Sequence, residues 1–209
     1  MEYQERSVRR DQHRIHVREY PGAEPAIVLM HGFPDNLHLY DRLLPHLSPP
    51  RRVIAFDFLG WGSSDKPSGY PYTAANQVGD LDSVITQLEL DQVVLVVHDA
   101  SGPPGIDWAL AHSERVAGLV LLNTYYCDMP TLRRPPAIWL FSTPAVRNVT
   151  RPVSRLFENW LFRQVYWWQV GSFIRDAAVR RQFVPLLYQQ FDATPSTRPA
   201  FFRFSQLLP

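Results

Sequence analysis

The chain has 209 residues, 45% of them hydrophobic and 13% aromatic, with a net charge of +1; this is globular composition with enough apolar material for a core, and it implies no strongly charged partner. One cysteine, Cys127, excludes a disulfide within the chain and suits a reducing compartment. No run approaches the roughly 18 apolar residues of a membrane span, and the polar start MEYQERSVRRDQHR lacks the apolar segment of a secretory signal, so the sequence predicts a cytoplasmic protein with no membrane partner.

In chain order, Arg6–Arg10 and Arg14–Tyr20 alternate about a polar turn, the pattern of two antiparallel strands. Pro21-Gly22 breaks the chain. Ala26–Met30 (AIVLM) is a short continuous apolar run, as in a strand buried on both faces. His38–Leu47 predicts a short helix with Leu39, Leu43, Leu44 and Leu47 on one side. Val53–Phe56 is a second buried strand that ends at Asp57, followed by a turn-rich loop with Gly60, Gly62, Ser63 and Ser64. Residues 74–89 carry Val78, Leu81, Val84, Ile85 and Leu88 at helical spacing. Val93–Val97 is a third buried strand. Pro103 and Pro104 fall where a first helical turn tolerates proline, and that helix extends to about His112. Ala117–Leu122 is a fourth buried strand.

Alternating strands and helices predict an α/β fold: a mostly parallel sheet wound by helices on both faces, with a small antiparallel edge at the start. In such sheets the chemistry gathers at the carboxyl ends of the strands. The polar and glycine-rich clusters His31-Gly32, Asp57 to Ser64 and His98 to Gly102 fall there.

After Asn123 the character changes. Residues 129–209 hold 11 basic and 3 acidic side chains, against 10 and 17 in residues 1–128. Helical spacing appears in 153–170 and 173–190, and no buried-strand pattern recurs. The chain is therefore read as a core, 1–128, and an incomplete helical lid, 129–209. The basic half carries no nucleic-acid motif, so it is read as a solvated face.

The segment LVVHDASGPPG ends a buried strand in a carboxylate, followed by small residues and prolines. A strand–turn–helix elbow holds one side chain above the sheet on a strained backbone. The small-residue positions beside such an elbow are Val97 and Ser101. Asp99 at the elbow, ionised and near a helix N-terminus, attacks a carbon bearing a leaving group to form an ester. A capping role for Asp99 is the plain alternative, and Ser101 is a rival nucleophile that fits the spacing poorly. In HGFPDN, the Phe33 N–H points to the space above Asp99; with the Ala100 N–H it forms a two-donor oxyanion hole.

HGFPDN, DFLGWGSSDKP and LVVHDASGPPGIDWALAHSERVAGLVLLN together resemble the α/β-hydrolase fold, in the branch of haloalkane dehalogenases and epoxide hydrolases, over about residues 15–125. The resemblance places the nucleophile on Asp99 and the oxyanion donors on Phe33 and Ala100. It departs from dehalogenases in that Phe33 and Ala100 stand where side chains would hold a halide, leaving that task to Trp139, Trp160, Trp167 or Trp168. Epoxide hydrolases use lid tyrosines as acids, for which Tyr166 and Tyr188 are the candidates; the alternative for both is aromatic packing. The catalytic histidine of the family follows its last strand. The seven histidines here all precede residue 113, and Asp128 is the only nearby carboxylate for the supporting acid.

On this resemblance the last strands of the sheet are missing, the chain is a truncated enzyme, and the strand at 117–122 becomes an exposed apolar edge. The function expected is a hydrolase of small apolar electrophiles, haloalkane or epoxide, stalled in this chain at the ester. The alternatives are a non-catalytic binding protein of hydrolase descent and a serine esterase using Ser101. The partner is a small-molecule substrate; no cofactor and no metal are expected.

Overall fold

The computed structural model describes residues 2–47, 49–127, 158–192 and 197–204. Six strands form one sheet: β1 (Gln4–Arg10), β2 (His13–Tyr20), β3 (Ala23–Met30), β4 (Arg51–Phe56), β5 (Val93–His98) and β6 (Val116–Leu122), in the order β1-β2-β4-β3-β5-β6. β1, β2 and β4 pair antiparallel, while β3 pairs parallel with β4 and β5, and β5 with β6. The apolar runs become strands because both faces of the central sheet are covered; Val28, Leu29, Ile54, Ala55 and Leu95 are fully buried.

The chain divides into two compact units, Met1–Pro130 and Thr131–Pro209. In the first, α1 (Leu44–Leu47), α2 (Ala74–Gln87) and α3 (Gly102–Ala111) accompany the sheet. Leu44 packs with Leu29, Val53, Ala55 and Val96 on one face. Gly105 of α3 abuts Val97 and Met30 on the other, as the period of two along a strand requires. Trp108 of α3 is fully buried, and its indole N–H donates to Asp82 Oδ1 of α2 at 3.0 Å.

One expectation changes. The single helix over His38–Leu47 is instead a 3-10 turn, Leu37–Tyr40, followed by the one-turn α1. Pro45 offers no N–H to a continuous helix and its ring crowds the preceding turn, while Asn36 starts the 3-10 turn by accepting from the His38 N–H at 3.1 Å. The strand at 116–122 is the exposed apolar edge that the resemblance implied: Leu119, Val120, Leu121 and Leu122 are 37–53% exposed. The opposite edge, β1, is covered at one residue. There the Gln87 amide accepts from the Arg9 N–H at 2.9 Å and donates to the Arg9 carbonyl at 2.6 Å.

The second unit contains α4 (Glu158–Phe173), α5 (Ala177–Phe191) and α6 (Thr197–Phe204). Asp176 caps α5, accepting from the Ala178 and Val179 N–H groups at 2.8 and 2.9 Å. Among the described residues no helix is long and apolar enough to cross a membrane.

A side chain added at Gly105 collides with Val97, whereas Leu121 faces open space at the sheet edge. Gly105→Val is expected to cost on the order of 1–3 kcal/mol and Leu121→Lys no more than about 0.5 kcal/mol, read as urea midpoints. The reverse order contradicts this packing.

Candidate active site

The register aligns the strand tips. Met30 lies beside Phe56 and Val97, and His98 beside Leu122. The residues that follow, His31, Asp57, Asp99 and Asn123, therefore share the carboxyl edge of the sheet. The strand order reverses around β3, which is where open α/β sheets place their ligand crevice.

Asp99 adopts φ +50°. This left-handed backbone costs a non-glycine residue on the order of 1–2 kcal/mol and is tolerated better by Asp than by bulkier residues. The turn is held by its neighbours. The Ser101 hydroxyl accepts from the His98 N–H at 2.9 Å and lies 3.0 Å from the Met30 carbonyl and 2.9 Å from that of His98. The Thr124 hydroxyl donates to the Asp99 carbonyl. Gly102 leaves room for that strap, since a Cβ there runs into the Thr124 hydroxyl and sits 3.0 Å from the Tyr125 carbonyl. Gly32 does the same from β3: a Cβ on it meets Asp99 Oδ2 at 2.8 Å.

The carboxylate is aimed by backbone amides. The Phe33 N–H donates to Asp99 Oδ2 at 2.9 Å, and the neighbouring Ala100 N–H also favours the ionised carboxylate. Burial raises the Asp99 carboxyl above the ordinary 3.8, while the two amides and His98 pull it down. The Phe33 ring meets Trp61 edge-on at 5.4 Å, an apolar pair beside the amides.

The surrounding residues divide into supports and free groups. His31 is buried; its Nε2 accepts from the Phe58 N–H at 3.1 Å and its Nδ1 lies 2.8 Å from the Gly32 carbonyl, so the ring is neutral and structural. Asp57 accepts from the Leu37 and Ser63 N–H groups, both at 2.8 Å, and pins the two loops together. The reading of Ser101 as nucleophile fails on geometry, because its hydroxyl is buried among the main-chain groups that hold the turn. His98 does not turn wholly away from the site: its Nδ1 is buried without a partner among the described residues and would lie 3.0 Å from a Cβ on Gly32.

Two residues near Asp99 escaped the sequence reading. Asp35, whose N–H donates to the Gly32 carbonyl at 3.1 Å, has its carboxyl pushed up to about 7 by burial and by the Asp99 charge. Tyr125 follows β6 and is raised to about 12 by burial and by Asp99. Both lie just beyond strand tips, the position that flagged Asp99.

Asp128, the candidate supporting acid, and Trp139, a candidate substrate-binding residue, lie outside the described residues. Tyr166 and Tyr188 meet edge-to-face in the helical unit at 5.2 Å, Tyr166 packs on Phe191 at 5.1 Å, and the Tyr188 hydroxyl donates to Asp192 at 3.2 Å. This is the packing role with a polar handle. Trp160 and Trp168 are exposed. Among the described residues no group of three His, Cys, Asp or Glu side chains is placed to hold a metal.

Because burial raises the Asp99 carboxyl, its ionised form opposes folding once the pH exceeds that raised value. Asp99→Asn keeps an acceptor for the Phe33 N–H and tolerates the left-handed turn. It is expected to raise Tm by a few degrees at neutral pH, a gain that vanishes in solutions acid enough to protonate the parent. A lower Tm at neutral pH contradicts the burial of a charge here.

Residues 25–200 match a family model described as the alpha/beta hydrolase fold. The chain is 36% identical over 135 residues to the cis-3-alkyl-4-alkyloxetan-2-one decarboxylase of Shewanella oneidensis, covering 63% of this chain and 42% of that protein. It spans less than half the length of the curated relatives it matches. Its fold is similar to that of the haloalkane dehalogenase DatA from Agrobacterium tumefaciens, with a TM-score of 0.77 at 23% identity over 99% of this chain and 68% of that one. It is also similar to the epoxide hydrolase CorEH, with a TM-score of 0.74 at 18% identity over 99% and 74%. With a sheet of this order, an aspartate at its elbow and a family match over most of its length, the chain belongs to the alpha/beta hydrolase fold family.

Proposed function

We propose that this chain carries the nucleophilic half of a hydrolase that acts on small apolar electrophiles, with Asp99 forming a covalent ester. One observation carries the reading: Asp99 stands on a left-handed turn at the carboxyl edge of the sheet, with Oδ2 held at 2.9 Å by the Phe33 N–H. The Phe33 N–H holds Oδ2, and in this reading the other carboxylate oxygen attacks. After attack, that amide and the Ala100 N–H face the ester carbonyl and stabilise the oxyanion that forms when water adds to it. The substrate end of the site is apolar at Phe33 and Trp61. The named relatives and structural neighbours act on haloalkanes, on an oxetan-2-one and on epoxides, all carbon electrophiles with a leaving group. We read the protein as cytoplasmic, acting on a small molecule with no nucleic-acid partner.

Ester hydrolysis needs a general base. His31 is locked in two main-chain contacts, and no histidine is hydrogen-bonded to Asp99 among the described residues. The ester accordingly accumulates in this chain rather than turning over. Phe33 and Ala100 offer no side-chain donor to a departing halide.

Incubation is expected to add one whole epoxide with styrene oxide, or one butyl group with release of bromide with 1-bromobutane, to the intact mass. The adduct is lost in Asp99→Ala and retained in Ser101→Ala. An unmodified mass in folded protein, or loss of labelling only in Ser101→Ala, overturns the reading. Attack requires ionised Asp99, whose carboxyl lies above 3.8. The labelling rate therefore rises with pH through that raised value and then levels off; a rate that is already flat at pH 4 contradicts the burial argument.

A further inference from the structure

We propose that the turn end of the α4–α5 hairpin docks on the surface of an anionic phospholipid bilayer, with Trp168 and Phe173 entering the headgroup layer and Arg175 and Arg181 pairing with lipid phosphates. The proposal is independent of the chemistry at Asp99.

The two helices pack through one set of aromatic and aliphatic side chains and leave another set outside. Tyr166, Val184, Leu187 and Phe191 are buried, and the Tyr166 ring meets Tyr188 and Phe191 across the pair. Toward the turn, Trp168 and Phe173 take no share in this packing and are 57% and 65% exposed. Single exposed apolar side chains on a surface need no explanation. Two large rings within the last turns of one helix, followed directly by Ile174 and Arg175, form a local feature.

The charge beside them has one sign. Arg175, Arg180 and Arg181 lie at the turn, and the acid there is Asp176, whose carboxylate is engaged by the Ala178 and Val179 N–H groups. Glu158 and Asp192 stand at the helix ends remote from the turn, and Asp192 accepts from the Tyr188 hydroxyl. Arg180 brings the cations and the rings together. Its guanidinium donates to the Gly171 carbonyl at 3.4 Å, and its Cδ lies 3.3 Å from where a Cβ on Gly171 would stand, three residues from Trp168 and two from Phe173. Arg175 and Arg181 are exposed, and neither forms an ion pair with a described residue.

An anionic bilayer complements both halves of this pattern. Tryptophan rings favour the membrane–water boundary, where the ring is in an apolar layer and the N–H stays in a polar one. The guanidinium fork is weakly hydrated and binds phosphate through two parallel N–H groups, and an anionic leaflet attracts basic side chains to its surface. Single-stranded RNA also takes rings and arginines, but the aliphatic Ile174 between Phe173 and Arg175 has no ring to stack on a base, which favours lipid. The association is peripheral: among the described residues no helix is long and apolar enough to cross a membrane. Read from sequence alone, this basic half is a solvated face; the exposure of its rings gives it a partner.

The test is flotation of the full chain with vesicles of phosphatidylcholine alone, or of phosphatidylcholine with about 30% phosphatidylserine. Binding to the mixed vesicles at about 0.1 M salt is expected to exceed binding to phosphatidylcholine at least about tenfold, and to fall at least about tenfold at 1 M salt, where the Debye length is about 3 Å. Arg175→Gln/Arg181→Gln removes two surface cations, each worth about fivefold in partitioning, and Trp168→Ala/Phe173→Ala is expected to weaken binding at least about tenfold. Because these side chains are exposed, the helical circular dichroism of each variant is expected to match the parent. In the parent, mixed vesicles with acyl-chain-brominated lipid are expected to quench tryptophan emission, and Trp168→Phe, which keeps a ring in place, to reduce that quenching. Absence of binding to the mixed vesicles overturns the proposal, as does equal binding to both vesicle types. Binding undiminished in either double variant, or quenching unchanged in Trp168→Phe, places the contact elsewhere and overturns it too. Tighter binding to oligouridylate than to the mixed vesicles assigns the surface to RNA and contradicts it.

Discussion

The left-handed turn at Asp99 is the constraint on which the site depends. A residue in an extended strand points its side chain into one face of the sheet or the other, and neither direction reaches the crevice beyond the strand ends. Reversing the sign of φ at the first residue past β5 swings the carboxylate over the edge. The backbone does not hold this turn by itself. Ser101 gathers the main-chain groups of β3 and β5 beneath it, Thr124 pulls from β6, and Gly32 and Gly102 clear space on either side. Three neighbouring strands thus converge on one residue, which couples the packing of the sheet directly to the chemistry.

Burial and hydrogen bonding act on that carboxylate in opposite directions. Removal from water favours the neutral acid, and two amide donors favour the anion. A nucleophile benefits from both effects. Desolvation strips the oxygen that must attack, while the amides fix the other oxygen where charge later develops. Asp35 and Tyr125 share the low-dielectric surroundings and feel the same charge. The strand-end edge of this one unit therefore gathers two buried carboxyl groups, the Phe33 amide and a phenol. The exposed apolar edge at β6 lies along the same strand that delivers Thr124 and Tyr125.

Much of this was legible in the sequence, for a physical reason. Strands covered on both faces must be apolar throughout, so β3, β4 and β5 announce themselves as short continuous runs, and glycines and prolines at their ends mark the turns. Asp99, Phe33 and Ala100 follow from the same logic. The failures are equally instructive. Over His38–Leu47 leucine spacing imitated a helix that Pro45 interrupts. Ser101 looked like a possible nucleophile since a hydroxyl's partners are invisible in a sequence. Tyr125 stands three residues past the end of β6, and its approach to the elbow depends on the Asn123 turn and the Thr124 contact, which a sequence does not display.

The central claim is that the Phe33 and Ala100 amides hold the Asp99 carboxylate in a desolvated niche. It is tested most directly by following those two amide resonances by 15N NMR as the pH is varied. The account predicts that both shift together with one midpoint above the ordinary 3.8, and that this transition disappears in Asp99→Asn. Amides that do not respond, or that follow a midpoint at or below 3.8, contradict it.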